Sequence, residues 1–259
     1  MCLLVLAWRR HPRYPLVLAG NRDEFHARAA APASWWSDPD GLLAGRDLQA
    51  GGTWLGVTRD GRVAVVTNYR ELGERLPDAP SRGELIVDYA RSTKSARAFL
   101  NDVSQRAQAY AGFNLLASDR AALSYYSNRD GAPRELSPGI YGLSNHLLDT
   151  PWPKLTRVRA RFEAAVGSGR LDTEELLVLL ADRTPAPDDH APHTGLPHEL
   201  ERALSAPFIV NATYGTRCST VLTIDTQGQC DFLERRFDAA GEVAGEMGFS
   251  FAAAGPDTR

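Results

Sequence analysis

MCLLVLAW at residues 1–8 and LVLAGNRDEF at residues 16–25 decide the fold. In the first stretch Leu4, Leu6 and Trp8 alternate with Leu3, Val5 and Ala7, so a strand built from it is apolar on both faces and needs cover on each. Such a strand belongs in the middle of a layered structure. The intervening RRHPRYP predicts an antiparallel hairpin turning near Pro12, with paired residue numbers adding to about 24. That register sets Cys2 opposite Arg22, give or take a residue, with Asn21, Asp23 and Glu24 alongside.

Composition narrows the function classes. The 259 residues are 43 % hydrophobic and 8 % aromatic, which suits one large domain or two small ones with a sizeable core. A net charge of -3 offers no basic face to nucleic acid or to an anionic membrane. Only Lys94 and Lys154 are lysines among 29 cationic residues, so arginine is the routine cation and no arginine is singled out by type alone. The apolar run from Leu3 to Ala7 is too short to span a bilayer, and its basic residues, Arg9 and Arg10, follow it rather than precede it. The expectation is a cytoplasmic protein without membrane insertion. Cys2, Cys218 and Cys230 are odd in number and match no metal-ligand spacing. A hairpin turning at Thr226–Gly228 sets Cys230 opposite about Asp225 and leaves Cys218 several residues away, too far for a disulfide.

Strand-like patterning covers residues 2–8, 16–21, 53–58, 62–68, 112–118, 122–127, 139–145, 208–210, 219–225 and 229–237. Helical periodicity covers 82–92, 94–105, 153–166 and 173–181, the first with Ser81 as its N-cap. Blocks of antiparallel strands with helices grouped between them predict an α+β fold with helices packed on sheets. Residues 184–200, TPAPDDHAPHTGLPHEL, form a long polar loop.

The NRDE tetrad at 21–24 closes an otherwise apolar strand, and four polar side chains there are costly if buried without partners. One reading is a solvated strand end with Arg22 paired to Asp23 or Glu24. The other is chemical. Methionine aminopeptidase removes Met1 before a small second residue, which leaves Cys2 with a free α-amine of ordinary pKa about 7.7–8.0 as the base for its own thiol. Arg22 would favour the thiolate and Asp23 could hold the amine. Acyl transfer through such a thiol needs donors for the oxyanion, and Asn68 and Asn145 both follow strands, although asparagine at a strand end is commonly a turn former.

Other residues weigh less. His190, His193 and His198 with Asp188 and Asp189 fit no helix-borne metal motif, and Pro192 and Pro197 interrupt a helix there, so the loop reads as a lid rather than a metal site. Trp35, Trp36, Trp54, Tyr69 and Trp152 are either pocket walls or core aromatics.

GNRDEF (20–25), AGGTWLGV (50–57), VTNYRE (66–71), SRGELI (81–86), YGLSNHLLDTPWPK (141–154) and YGTRCSTVL (214–222) together resemble the NRDE-motif family, called in eukaryotes the transport and Golgi organisation protein two family. That family is similar to N-terminal nucleophile hydrolases of the penicillin V acylase and bile salt hydrolase branch. The resemblance implies a four-layer αββα sandwich of antiparallel sheets and hydrolysis of a linear amide or related acyl bond, with no cofactor required. Cys2 then matches the nucleophile, Arg22 the arginine beside it, and Asn68 the oxyanion asparagine. Asn145 matches a second active-site asparagine, and Arg217 a late arginine near the thiol. In that branch two residues separate the arginine from its aspartate, whereas Asp23 is adjacent to Arg22, and Glu24 is the other candidate. The resemblance also implies an alternative: a non-enzymatic carrier of haem, a lipid or an acyl-thioester, with His26 and His146 as potential haem ligands. The expected partner is a small acyl or amide substrate or a hydrophobic ligand.

Overall fold

The computed structural model describes residues 3–71, 79–190 and 194–254; Cys2, Pro192 and His193 lie outside them. The described strands are β1 (Leu3–Trp8), β2 (Leu16–Phe25), β3 (Ala30–Ser37), β4 (Asp40–Asp47), β5 (Leu55–Thr58), β6 (Val63–Asn68), β7 (Phe113–Ser118), β8 (Leu123–Ser127), β9 (Asp130–Glu135), β10 (Gly139–Leu143), β11 (Tyr214–Ile224), β12 (Gln229–Phe237) and β13 (Val243–Ala252). The helices are α1 (Glu84–Arg91), α2 (Ala96–Arg106), α3 (Pro153–Gly167), α4 (Thr173–Leu180) and α5 (His198–Leu204).

The first hairpin has the expected register: Leu3 pairs with Asn21 and Val5 with Ala19, so partner numbers add to 24. One antiparallel sheet runs β10-β1-β2-β11-β12-β13, the other β3-β4-β5-β6-β7-β8-β9. Pleat alternation then assigns each face. Leu4, Leu6, Trp8, Leu16 and Leu18 pack between the sheets against Leu43, Trp54, Leu55, Val65 and Tyr125. Leu3, Val5, Ala7, Val17 and Ala19 pack under α3 and α4 against Leu155, Phe162, Leu176 and Leu180. On the other side α1 and α2 set Leu85, Tyr89, Phe99 and Leu100 against Val66, Phe113 and Leu115. The result is a four-layer αββα sandwich, and a strand apolar on both faces occupies one of its two inner layers because only there is each face covered.

Three of the strands absent from the sequence expectation lie at sheet edges. β3, β9 and β13 are edge strands, where one row of backbone groups lacks a neighbour and Gly, Pro and polar side chains are tolerated. The β9 segment DGAPRE therefore lacks a strand pattern, whereas in VAGEMGFSFA the alternation of Met247, Phe249 and Phe251, which pack on the inter-sheet core, was a signal the sequence reading passed over. β4, inside its sheet, carries Gly41 and Gly45, and Gly45 leaves room for a ring described below. Residues 208–210 form no strand, only a bridge from Val210 to Gly215. Ser81 does not cap α1: the helix begins at Glu84 after Gly83, and Ser81 contributes only its carbonyl, to the Glu84 N–H. The long loop contains a short 3-10 turn at Asp188–His190, and its end is already the first turn of α5. Cys230 pairs with Ile224 and Cys218 with Arg236, and both cysteines are buried and free.

The glycines of AGGTWLG and SRGEL serve one junction. A Cβ on Gly52 would lie 2.6 Å from the Gly83 carbonyl carbon, and one on Gly83 would lie 2.7 Å from the Thr53 oxygen. Two backbones meet there with no room for a side chain, and the contact sets the start of α1 against the chain entering β5. Among the described residues no helix is long and apolar enough to cross a membrane.

Candidate active site

The end of β2 carries the NRDE tetrad into the junction between the two sheets, and the four residues do different work. Asn21 is fully buried on the helix-facing side. Its amide donates to the Leu180 and Pro207 carbonyls, both at 2.9 Å, and its oxygen accepts from Ser219 Oγ at 2.6 Å. Leu180 is the last residue of α4, so Asn21 satisfies a carbonyl that the helix leaves without a partner.

Arg22 points the other way, between the sheets, and is 4 % exposed. Its guanidinium lies 4.4 Å from the Trp54 ring centroid, and Nη2 sits 3.6 Å from Asp47. Asp47, rather than Asp23 or Glu24, is thus its ion-pair partner. Among the described residues Nη1 has no hydrogen-bond partner. Gly45 makes the stack feasible, because a Cβ there would lie 2.5 Å from the Trp54 ring. Asp47 also accepts from Arg28 Nε at 2.6 Å and from the Gln49 and Ala50 N–H groups. Burial pushes the Asp47 carboxyl up, but the Ala50 N–H and Arg28 together hold it below the usual carboxylate range.

Asp23 occupies the opposite pleat face from Arg22. It accepts from Thr216 Oγ1 at 2.8 Å, and burial pushes its carboxyl up against the pull of Lys154. Lys154, on the first turn of α3, is itself buried and donates to the Leu204 carbonyl at 2.9 Å. Glu24 folds back onto the Phe25 N–H and faces Arg28 at 3.7 Å.

Asn68 and Asn145 do meet. Asn145, with φ of 56°, donates from its amide to the Asn68 main-chain oxygen at 3.3 Å, and its own carbonyl accepts from Arg70 N at 2.8 Å. Asn145 therefore holds the end of β6. Asn68 itself lines the large cleft, and Asn145 does not. Arg217 lies at a bulge in β11, where the register to β2 shifts between Thr216 and Cys218. It donates to His26 Nδ1 at 2.6 Å and is not among the cleft walls. A guanidinium only donates, so His26 accepts at Nδ1 and its Nε2–H donates to the Asn211 carbonyl at 2.9 Å. His146 is likewise engaged at both nitrogens, by Tyr69 OH at 3.0 Å and Thr150 Oγ1 at 2.9 Å. Neither histidine presents a free ring nitrogen to a haem iron.

Arg22, Asp23 and Asn68 line one cleft of about 1050 Å³ together with Trp54, Tyr69, Asp47, Arg82 and Arg129. Of the other aromatic candidates, Trp36 is buried against Leu42 and Val87, Trp35 packs edge-on to Phe251, and Trp152 lies edge-on to His146 beside a separate small cavity. Among the described residues no three His, Cys, Asp or Glu side chains come together as a metal site.

The sequence reading missed Asp47, Trp54 as the partner of Arg22, Lys154 and Glu234. Lys154 had a signal: it is one of two lysines in a chain that otherwise uses arginine. Glu234, 1 % exposed between the sheets, accepts from the Ala33 N–H at 2.8 Å. Burial pushes its carboxyl up, with the Ala33 N–H and Arg236 only partly opposing. Burial, then the Glu234 charge, also push the Cys218 thiol up. The folded state thus holds the Glu234 proton to higher pH than the unfolded chain does, so this group's contribution is full below its unfolded pKa and is lost as pH rises through the folded one. Glu234→Gln keeps the acceptor for Ala33 and removes the titration. The expected outcome is a gain in urea midpoint over wild type that grows between pH 5 and pH 8; a constant difference across that range would contradict it.

The layers, the central hairpin and the arginine at its end define the class as an αββα sandwich protein with a polar cleft at one end of its inner sheets. The family model described as Transport and Golgi organisation 2 matches residues 1–239, and the chain belongs to that family. It is 38 % identical over 259 residues to the Transport and Golgi organization protein 2 homolog of Bos taurus, covering 91 % of this chain and 92 % of that one. The Homo sapiens homolog is 34 % identical over 257 residues with the same coverage, and the Drosophila melanogaster protein 29 % over 260 residues, covering 90 % and 91 %. Among solved structures, the Caenorhabditis elegans N-acylethanolamine-hydrolyzing acid amidase ortholog aligns over 85 % of this chain and 92 % of that one, with a TM-score of 0.43 and 11 % identity.

Proposed function

We propose that this protein is an N-terminal nucleophile hydrolase that cleaves a linear amide or related acyl bond, with Cys2 as nucleophile once Met1 is removed. The observation that carries the reading is the register of the first hairpin. Extended by one pair beyond Leu3 and Asn21, that register would bring Cys2 to Arg22, whose own side chain lies on the inter-sheet face and lines the cleft.

In this reading the Cys2 α-amine takes the thiol proton and Sγ attacks the acyl carbon. The tetrahedral intermediate collapses as the amine returns the proton to the leaving group, and water then releases the acyl chain from sulfur by the same route. Arg22 stabilises the thiolate, and its Nη1, without a hydrogen-bond partner among the described residues, is a buried cationic donor of the cleft. Asn68 supplies the oxyanion donor. Asn145 acts as a positioning residue through Asn68, Asp23 holds the amine from the other pleat face, and Arg217 stands outside the reacting set with His26.

Intact mass spectrometry tests this directly. The mature protein is expected to lack Met1 and, when incubated with an activated acyl ester, to gain one acyl group on Cys2 and then lose it by turnover. Retention of Met1, or hydrolysis by Cys2→Ala equal to wild type, overturns the proposal.

A further inference from the structure

Beside the Asn68–Asn145 joint lies a second cavity, of about 20 Å³, which shares no wall residue with the cleft. Its walls come from the segment after β10 (Ser144, Asn145), the start of α3 (Trp152, Lys154) and α5 (Glu201), with Arg70 closing one side. The space suits one small guest and no extended chain.

Three observations define that guest. First, α3 is a 15-residue helix that begins here with no side-chain cap and no acidic residue in its first turn, so the positive end of its dipole is uncompensated. Second, Ser144 is 2 % exposed, and among the described residues its Oγ has no hydrogen-bond partner. Third, the buried Trp152 Nε1 has none either, and an indole N–H can only donate. The one acidic wall residue is already engaged: Glu201 Oε1 accepts from the Thr194 N–H and hydroxyl, and Oε2 faces Arg70 Nη1 at 3.4 Å. Both cations of the wall are engaged as well, Arg70 by Glu201 and Lys154 by Asp23 and the Leu204 carbonyl, so the unmet groups of the cavity among the described residues are Ser144, Trp152 and the helix end. A neutral water would satisfy the N–H and the hydroxyl but would leave the helix end uncompensated.

We infer that this cavity binds a small monovalent anion, a halide or the carboxylate end of a small molecule, held by Ser144 Oγ–H, Trp152 Nε1–H and the first turn of α3. The site stands on its own residues and is independent of whether the cleft hydrolyses an acyl bond. Because Asn145 is both a wall of the cavity and the support of Asn68, the bound anion would brace that joint.

Crystals soaked in bromide and measured at the bromine absorption edge should show an anomalous peak in the cavity. Displacement of that peak by formate marks a carboxylate site, and its persistence marks a halide site; either supports the inference. In solution, chloride at tenfold excess over its Kd should raise Tm by about 3 °C relative to gluconate at equal ionic strength. The double variant Ser144→Ala, Trp152→Phe should lose that increment while folding normally, since neither group it removes has a hydrogen-bond partner among the described residues. No anomalous peak, a chloride-independent Tm, or an increment retained in the variant overturns the inference.

Discussion

On the proposed chemistry, Arg22→Met is expected to lower kcat/KM for acyl transfer by about 100-fold, with KM little changed. The methionine keeps an unbranched apolar stem over Trp54, so the packing at 4.4 Å is largely replaced and the charge is what disappears. The pH–rate profile gives the sharper readout. A guanidinium beside the thiol favours its ionised form; without it the thiolate forms at higher pH, so the acid limb of the profile moves upward. Arg22→Lys restores the charge but not the planar stack on Trp54 or the spread of donors toward Asp47, and should recover activity in part. Unchanged kcat/KM and an unshifted profile in Arg22→Met would remove Arg22 from the chemistry, and with it the register argument that pairs it with Cys2.

The residues that could be read in advance are those whose neighbours are set by local rules. The Leu3–Trp8 stretch had to be covered on two faces, and the RRHPRYP turn set its pairing, so the hairpin and the layers on either side of it followed. Opposite pleat faces for Arg22 and Asp23 followed from the same alternation. Partners supplied by other layers were not legible. Asp47 reaches Arg22 from β4 of the other sheet, in a segment whose glycines concealed a strand, and Lys154 reaches Asp23 from the helix layer. Asn68 and Asn145 looked equivalent, each an asparagine after a strand. Only the direction of one hydrogen bond separates the cleft wall from its support. Arg217 is a further case: the family resemblance offered it as a late arginine of the site, and its contact with His26, made from a bulge in β11, had no signal in the sequence.

The asparagine of the tetrad is expected to matter for stability rather than chemistry. Asn21→Ala removes two donors from the buried Leu180 and Pro207 carbonyls and the acceptor from Ser219 Oγ, within a site that is fully buried. Orphaning buried polar groups costs about 1–3 kcal/mol each, so a loss of about 3–5 kcal/mol is expected, equivalent to roughly 10 °C or more in Tm for a chain of this size. Because Asn21 ties α4 and the segment before β11 to the central strand, the loss should appear as one cooperative shift in urea midpoint, with the turnover of molecules that remain folded unchanged. Asn21→Asp separates hydrogen bonding from volume. At neutral pH its carboxylate faces two carbonyl oxygens and cannot donate, so the variant should be at least as unstable as Asn21→Ala. Protonation gives back one donor, and because the folded state then favours the protonated acid, its stability should recover as pH falls. A cost below about 1 kcal/mol for Asn21→Ala, or no acid recovery in Asn21→Asp, would mean that the tetrad's first residue is not the tie between the helix layer and the strand that carries Arg22.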